Sequence, residues 1–210
     1  MKKFEELLEE AVSFHGGLCA GQVIGVRMAI LGCKLIGMDE PKNHRKKLMV
    51  FVEIDRCACD AIQVVTGCRL GNRTLKWIDY GIMAATFVNL NTKKAMRIEV
   101  TEKSRNLAKR YAPFIKDKYQ QQLEAYKIMP QGELFKIEEV NMIIPLEDKP
   151  GRPTSRVCCE ICGAYVNDRR EVNKNKKVLC RGCANGRYYH KAEDDRCIFK
   201  NAENGIKKLG

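Results

Sequence analysis

The sequence predicts an α+β protein: a mixed helix-and-sheet core domain followed by a small cysteine-rich domain. Three observations carry this. Apolar residues recur at helical spacing near the start, and β-branched and aromatic runs follow between residues 48 and 100. Eleven cysteines fall in two groups, with none between Cys68 and Cys158. The early group is Cys19, Cys33, Cys57, Cys59 and Cys68; the late one is Cys158, Cys159, Cys162, Cys180, Cys183 and Cys197.

The elements follow in order. Phe4, Leu7, Leu8, Ala11 and Val12 line one face of a helix that ends at Gly16-Gly17. A second helix starts after Gly21 and is apolar almost all round through Val23, Ile24, Val26, Ala29 and Ile30, which makes it central and too apolar to leave a face exposed. Residues 48–54 read as a strand, and Asp60 is expected to cap a short helix closed by Gly67. Strands at 83–90 and 95–100 join around Asn91-Thr92. Thr101 caps a helix to about Tyr111, Pro113 opens another that stops at Pro130, and 134–144 holds strand-like pieces. Residues 147–156, polar with two prolines and a glycine, read as a linker, so the expected domains are 1–146 and 157–210.

Composition excludes some classes. With 45% hydrophobic and 30% charged residues the chain is globular rather than disordered. The most apolar stretch, 23–38, contains Arg27, Lys34 and three glycines, which a membrane span of about 20 apolar residues would not. MKKFEELLEE lacks the apolar region of a secretory signal, so the expected compartment is the cytoplasm, a reducing one. There, cysteines are metal ligands or reactive thiols rather than disulfides. The 38 basic residues exceed the 26 acidic by 12, and residues 149–210 carry +8 of that excess. A basic tail of this kind meets nucleic acid or an acidic protein, or serves solubility.

Cys159-x2-Cys162 and Cys180-x2-Cys183 lie 17 residues apart and offer four thiolates to one tetrahedral zinc ion. The 17 residues allow a hairpin, with Asn167-Asp168 and 173–175 as turn material. Cys158 is the alternative to Cys159, but only Cys159 gives the x2 spacing. Four free buried cysteines are the competing reading. With Gly163 after the second cysteine and Leu179 before the third, residues 157–185 resemble the zinc finger of the DksA/TraR type, which implies structural zinc in a small treble-clef-like or ribbon-like domain.

His15-Gly16-Gly17-Leu18-Cys19-Ala20-Gly21 forms a glycine-rich turn between two helices. It puts Cys19 at the start of the second helix, where the dipole favours a thiolate, with His15 beside it. Cys57-Ala58-Cys59-Asp60 opens a later helix in the same way, so both sets can converge on one metal. A capping histidine and small packing cysteines are the competing reading.

FHGGLCAGQVIGVRMA, CACDAIQVVTGCRLGNRTL and DYGIMAATF resemble the FmdE family of formylmethanofuran dehydrogenase proteins over about residues 1–145. Its pattern runs F-H-G-H-x-C-P-G, then C-x-x-D-A-I-Q-x-x-T-G-C-T-x-G-x-x-x-L, then G-K-x-A. The resemblance implies an α+β core, an intertwined homodimer, a metal or reactive-cysteine site and, in some members, a C-terminal zinc finger. It also implies association with a molybdenum or tungsten enzyme of methanogenesis. His15, Cys19, Cys57, Asp60, Gln63 and Cys68 match the pattern. Gly17 replaces the second histidine, Ala20 the proline, Arg69 a threonine and Ile82 the lysine; Cys59 is an extra thiol that can stand in for the missing imidazole or merely pack.

The candidate metal ligands are therefore Cys159, Cys162, Cys180 and Cys183 for zinc, and His15, Cys19, Cys57 and Cys59 for a second ion. His44 reads as a loop residue, Glu53 and Asp55 as supporting or exposed acids, and His190 as a spare zinc ligand. Lys103, Arg105, Lys109 and Arg110 form a solvated helix face. The favoured function is a cytoplasmic metal-binding homodimer accessory to a redox complex. The two alternatives are an enzyme using the Cys19 site, and a nucleic-acid- or polymerase-associated zinc-finger regulator with Tyr188 and Tyr189 as stacking groups. The implied cofactor is zinc. The implied partners are a second copy, components of a molybdenum or tungsten enzyme, and nucleic acid or an acidic protein, with no membrane.

Overall fold

In the computed structural model, which describes residues 1–44 and 46–190, the chain divides into two units, Met1–Pro145 and Leu146–Gly210. The first opens with α1 (Phe4–His15), which buries Leu7 and Ala11 and is closed by Gly16 at φ 89°, its N–H donating to Val12 O. Only a residue without Cβ adopts that left-handed conformation cheaply.

Helix α2 (Ala20–Leu35) starts two residues earlier than the sequence predicts, because Cys19 is its N-cap. The Cys19 carbonyl accepts from the N–H groups of Gln22 and Val23. Val23, Val26, Ala29 and Cys33 are completely buried, covered by other elements of the same chain. The apolar girth of α2 is thus accounted for without a second copy.

Strand β1 (Leu48–Val52) leads to α3 (Ala58–Thr66) and then to β2 (Leu75–Trp77), β3 (Ala84–Asn89) and β4 (Ala95–Val100). Helices α4 (Lys103–Tyr111), α5 (Lys118–Ile128) and the short α6 (Gln131–Leu134) precede β5 (Phe135–Glu139). The strands form one sheet in the order β2-β1-β3-β4-β5, parallel only between β1 and β2. Register aligns Val50 with Phe87 and Phe87 with Met96, so one face packs on the helices. The other face carries a smaller cluster, Met49, Val88 and Ala95, against Val140 and Ile144.

Three expectations need correction. Asp60 is not a cap: α3 begins at Ala58 with Cys57 as its N-cap, which leaves Asp60 in the first turn with its carboxylate free for His15. Pro113 does not open α5; Asp117 caps it, accepting from the Gln120 N–H at 2.8 Å. Strand β2 has no counterpart in the sequence reading, since three residues are too few for an alternation to show. Thr101 acts as predicted, its hydroxyl accepting from the Ser104 N–H at 3.3 Å.

The second unit holds two hairpins, β6 (Arg156–Cys158) with β7 (Tyr165–Asn167) and β8 (Val172–Lys174) with β9 (Lys177–Leu179), followed by α7 (Arg181–Asn185). Asn175 and Lys176 take left-handed backbone at the β8–β9 turn. Within 147–156, a 3-10 turn spans Leu146–Asp148 and β6 starts at Arg156. Cys197 and the end of the expected 157–210 domain lie outside the described residues. No helix among the described residues is long and apolar enough to cross a membrane.

Helix α2 lies unusually close to its neighbours. A Cβ added at Gly25 would stand 2.6 Å from Ala58 O and 2.7 Å from Ala61 Cβ, and one at Gly21 would stand 2.9 Å from Cys57 Cβ. At Gly32 it would meet the Phe87 ring at 2.3 Å. Because the Gly25 clash is partly with backbone, Gly25→Ala forces α2 and α3 apart. We expect a loss of about 1–3 kcal/mol and a Tm lower by about 2–10 °C, read by thermal unfolding. An unchanged Tm would contradict this packing.

Candidate metal centres

Two groups of ligand-type side chains are assembled among the described residues. In the first, His15, Cys19 and Cys57 bring their ligand atoms within 4.8 Å of one another. Each comes from a helix end: His15 is the last residue of α1, Cys19 caps α2 and Cys57 caps α3. The close α2–α3 approach at Gly21 sets the two sulfurs side by side, since a Cβ there would lie 3.6 Å from Cys19 Sγ.

Two further residues hold the group, and the sequence did not single them out for this work. Asp60 Oδ2 lies 2.7 Å from His15 Nδ1, which fixes the ring and leaves Nε2 as the free ligand atom. Gln22, wholly buried, donates from Nε2 to the Cys57 carbonyl at 2.6 Å. Asp60 was legible only as a helix-start residue, and Gln22 only as a polar residue inside an apolar helix.

Cys59 is not in the group. Its thiol donates to Ile54 O at 2.7 Å. Two residues along a helix turn the side chain by about 200°, so Cys57 and Cys59 cannot face the same point. The extra thiol therefore does not stand in for the missing imidazole within this chain.

The sequence suggested thiolate stabilisation at both helix starts. At Cys57, burial and then the neighbouring Cys19 sulfur raise the thiol instead, outweighing the helix end. Burial also raises Cys59 and Cys68, and pushes Cys33 up to about 12.

In the second group, Cys159, Cys162, Cys180 and Cys183 likewise place their sulfurs within 4.8 Å of one another. Cys162 and Cys180 Sγ are 3.8 Å apart. Two bonds of about 2.3 Å at a tetrahedral angle put sulfurs about 3.8 Å apart, so the donor set fits zinc. Cys158 lies outside the group, exposed, with its thiol toward Gly163 O at 3.5 Å. No histidine joins the four, His190 included. Backbone N–H groups of Cys180 and Cys162 bring the Cys159 thiol down to about 6. Arg187 lowers Cys183, but the sulfurs of Cys180, Cys162 and Cys159 outweigh it and push that thiol up to about 11.

The remaining candidates are placed plainly. Glu53 is buried and paired with Arg97, Oε1 to Nε and Oε2 to Nη2 both at 2.7 Å. Asp55 and the four basic residues of α4 are exposed.

The family described as FmdE, molybdenum formylmethanofuran dehydrogenase operon, matches residues 14–139, a stretch that includes the first group and ends before the second. A probable S-adenosyl-L-methionine-binding protein of Archaeoglobus fulgidus is 31% identical over 89% of the chain. The chain spans only 54% of that relative's length. The crystal structure of an FmdE-like protein of tungsten formylmethanofuran dehydrogenase from Syntrophus aciditrophicus matches 90% of this chain and 96% of its own, with a TM-score of 0.59 at 20% identity. That likeness is one of fold.

The raised thiols give a direct check. A thiol at about 12 is protonated at pH 8, with a thiolate fraction on the order of 10⁻⁴. In folded protein treated with a chelator at pH 8, iodoacetamide should label the exposed Cys158 and Cys162 and spare Cys33 and Cys68. Peptide mapping that finds Cys33 labelled as fast as Cys158 would contradict this burial.

Proposed function

The chain belongs to the FmdE family, and on that premise we propose that it is a metal-binding accessory protein of a molybdenum or tungsten redox enzyme. The observation that supports this most is the convergence of His15, Cys19 and Cys57 from three helix ends, all within 4.8 Å. Such an assembly costs stability unless something binds it, because burial holds Cys57 protonated in the absence of an ion. His15 through Nε2 and the two sulfurs would hold the ion, and Asp60 would orient the imidazole. Three protein ligands leave a further position for solvent or for a group from a partner, which is the arrangement of a working rather than a sealed site.

In the second unit the four cysteines form a zinc finger in this reading, with a structural role. The apolar core there is only Cys159, Leu179 and Ala184, too little to fold a domain, and a bound ion supplies folding energy. The same reading makes the protein a cytoplasmic homodimer. A nucleic-acid-binding finger is the second reading, favoured by the Arg156 guanidinium stacked 4.5 Å over the exposed Tyr165 ring.

Purification of the tagged chain from its own host under native conditions tests the proposal. We expect two metal equivalents per chain, one of them zinc, and a mass about twice 24.0 kDa. A component of a molybdenum or tungsten oxidoreductase should co-purify. A chain that carries at most one ion and brings down no such component would overturn the accessory role. Co-purifying RNA or DNA would favour the second reading.

A further inference from the structure

We propose that the basic cavity at the C-terminal end of α3 binds a small organic phosphate through its phosphate group. The cavity measures about 310 Å³ and is lined by Lys42, His44, Lys46 and Arg69 over a floor that includes Thr66 and Thr74. It is separate from the cysteine group of this unit, which sits at the other end of α3, a helix of nine residues and about 13 Å.

The lining contains no carboxylate. Lys46 and Arg69 make no ion pair among the described residues, whereas Lys42 is met by Glu10, Nζ to Oε2 at 3.1 Å. Unpaired cations around one concavity repel each other, and a polyanion relieves that repulsion. The hydroxyls of the floor are already committed. Thr66 Oγ1 donates to Ile62 O and accepts from the Cys68 N–H, and Thr74 Oγ1 accepts from the Arg69 N–H at 3.0 Å. Recognition therefore falls to the cations, and the floor braces them.

Arg69 is the best placed of these. Its N–H and its carbonyl are both bonded to Thr74, so the guanidinium projects from a pinned turn. A planar fork held in this way matches two oxygens of one phosphate, and a second cation at Lys46 completes the neutralisation of a dianion.

The ligand extends beyond its phosphate. A second cavity of about 330 Å³ shares Lys42, Gly67 and Arg69 as walls. It adds the exposed Phe14 ring, Val64 and Gln63, together with the Glu10 carboxylate. An aromatic face and an amide suit an uncharged planar body, and Glu10 disfavours a second anionic group there. A nucleoside monophosphate has this make-up. Inorganic phosphate is the other source of the same chemistry.

Calorimetric titration of the full chain with AMP and, separately, with inorganic phosphate tests the site. We expect AMP to bind with Kd of about 1 mM or tighter, and the Lys46→Ala/Arg69→Ala variant to bind at least about tenfold more weakly. Lys93→Ala/Lys94→Ala removes equal charge from the β3–β4 hairpin and should leave binding unchanged. Equal affinity for phosphate and AMP would assign the bare phosphoryl group, and a preference for AMP would assign the second cavity as well. Absence of binding by the native chain overturns the proposal. So does an equal loss in both variants, or none in the cavity variant. If circular dichroism shows the cavity variant unfolded, Arg69→Gln alone is held to the same tenfold loss.

Discussion

The contact between α2 and α3 at Gly21 and Gly25 is the constraint on which the first unit depends. Packed helices with ordinary side chains stand about 8–10 Å apart. Here no Cβ fits on α2 opposite Ala58 and Ala61, so backbone meets backbone. The closeness fixes where the two helices start relative to one another, and both starts are cysteines. Once they are fixed, α1 needs only the Gly16 turn to deliver His15 to the same point.

That arrangement concentrates unlike forces in a small volume. The starts of α2 and α3 present positive dipole ends to the sulfurs, which favours thiolate or a bound anion. Burial and the closeness of the two sulfurs oppose it, and at Cys57 they prevail. A cation between the sulfurs resolves the opposition, because it replaces protons that the thiols otherwise keep. The Asp60–His15 pair and the Gln22 bond to the Cys57 carbonyl hold the ring and the backbone in place. The sheet depends on a different balance. Arg97 on β4 bonds Glu53 through two nitrogens and Glu99 at 2.6 Å, on the face away from the helices. Glu53 is only 6% exposed, so its charge requires that partner. These carboxylates in turn raise the Arg97 guanidinium further above its ordinary value.

Much of this was legible in the sequence. Helical periodicity located α1 and α2, β-branched runs located β1, β3 and β4, and cysteine spacing singled out both groups that the fold assembles. What stayed hidden was geometry set by tertiary contact. The glycines of α2 read as interruptions of an apolar stretch, because nothing local shows what a missing Cβ will touch. Asp60 read as a cap, since its histidine partner lies 45 residues away. Cys59 read as a possible ligand until the turn of α3 carried it off the face shared by Cys57.

The central claim is that the α2–α3 seam builds a three-residue metal site distinct from the four-cysteine one. Anomalous diffraction from crystals of the metal-loaded chain, recorded at the absorption edges of the metals it carries, tests that claim most directly. The prediction is one peak among Cys159, Cys162, Cys180 and Cys183, and another within bonding distance of His15, Cys19 and Cys57. A peak at the four cysteines alone would contradict it and leave His15, Cys19 and Cys57 as packing residues.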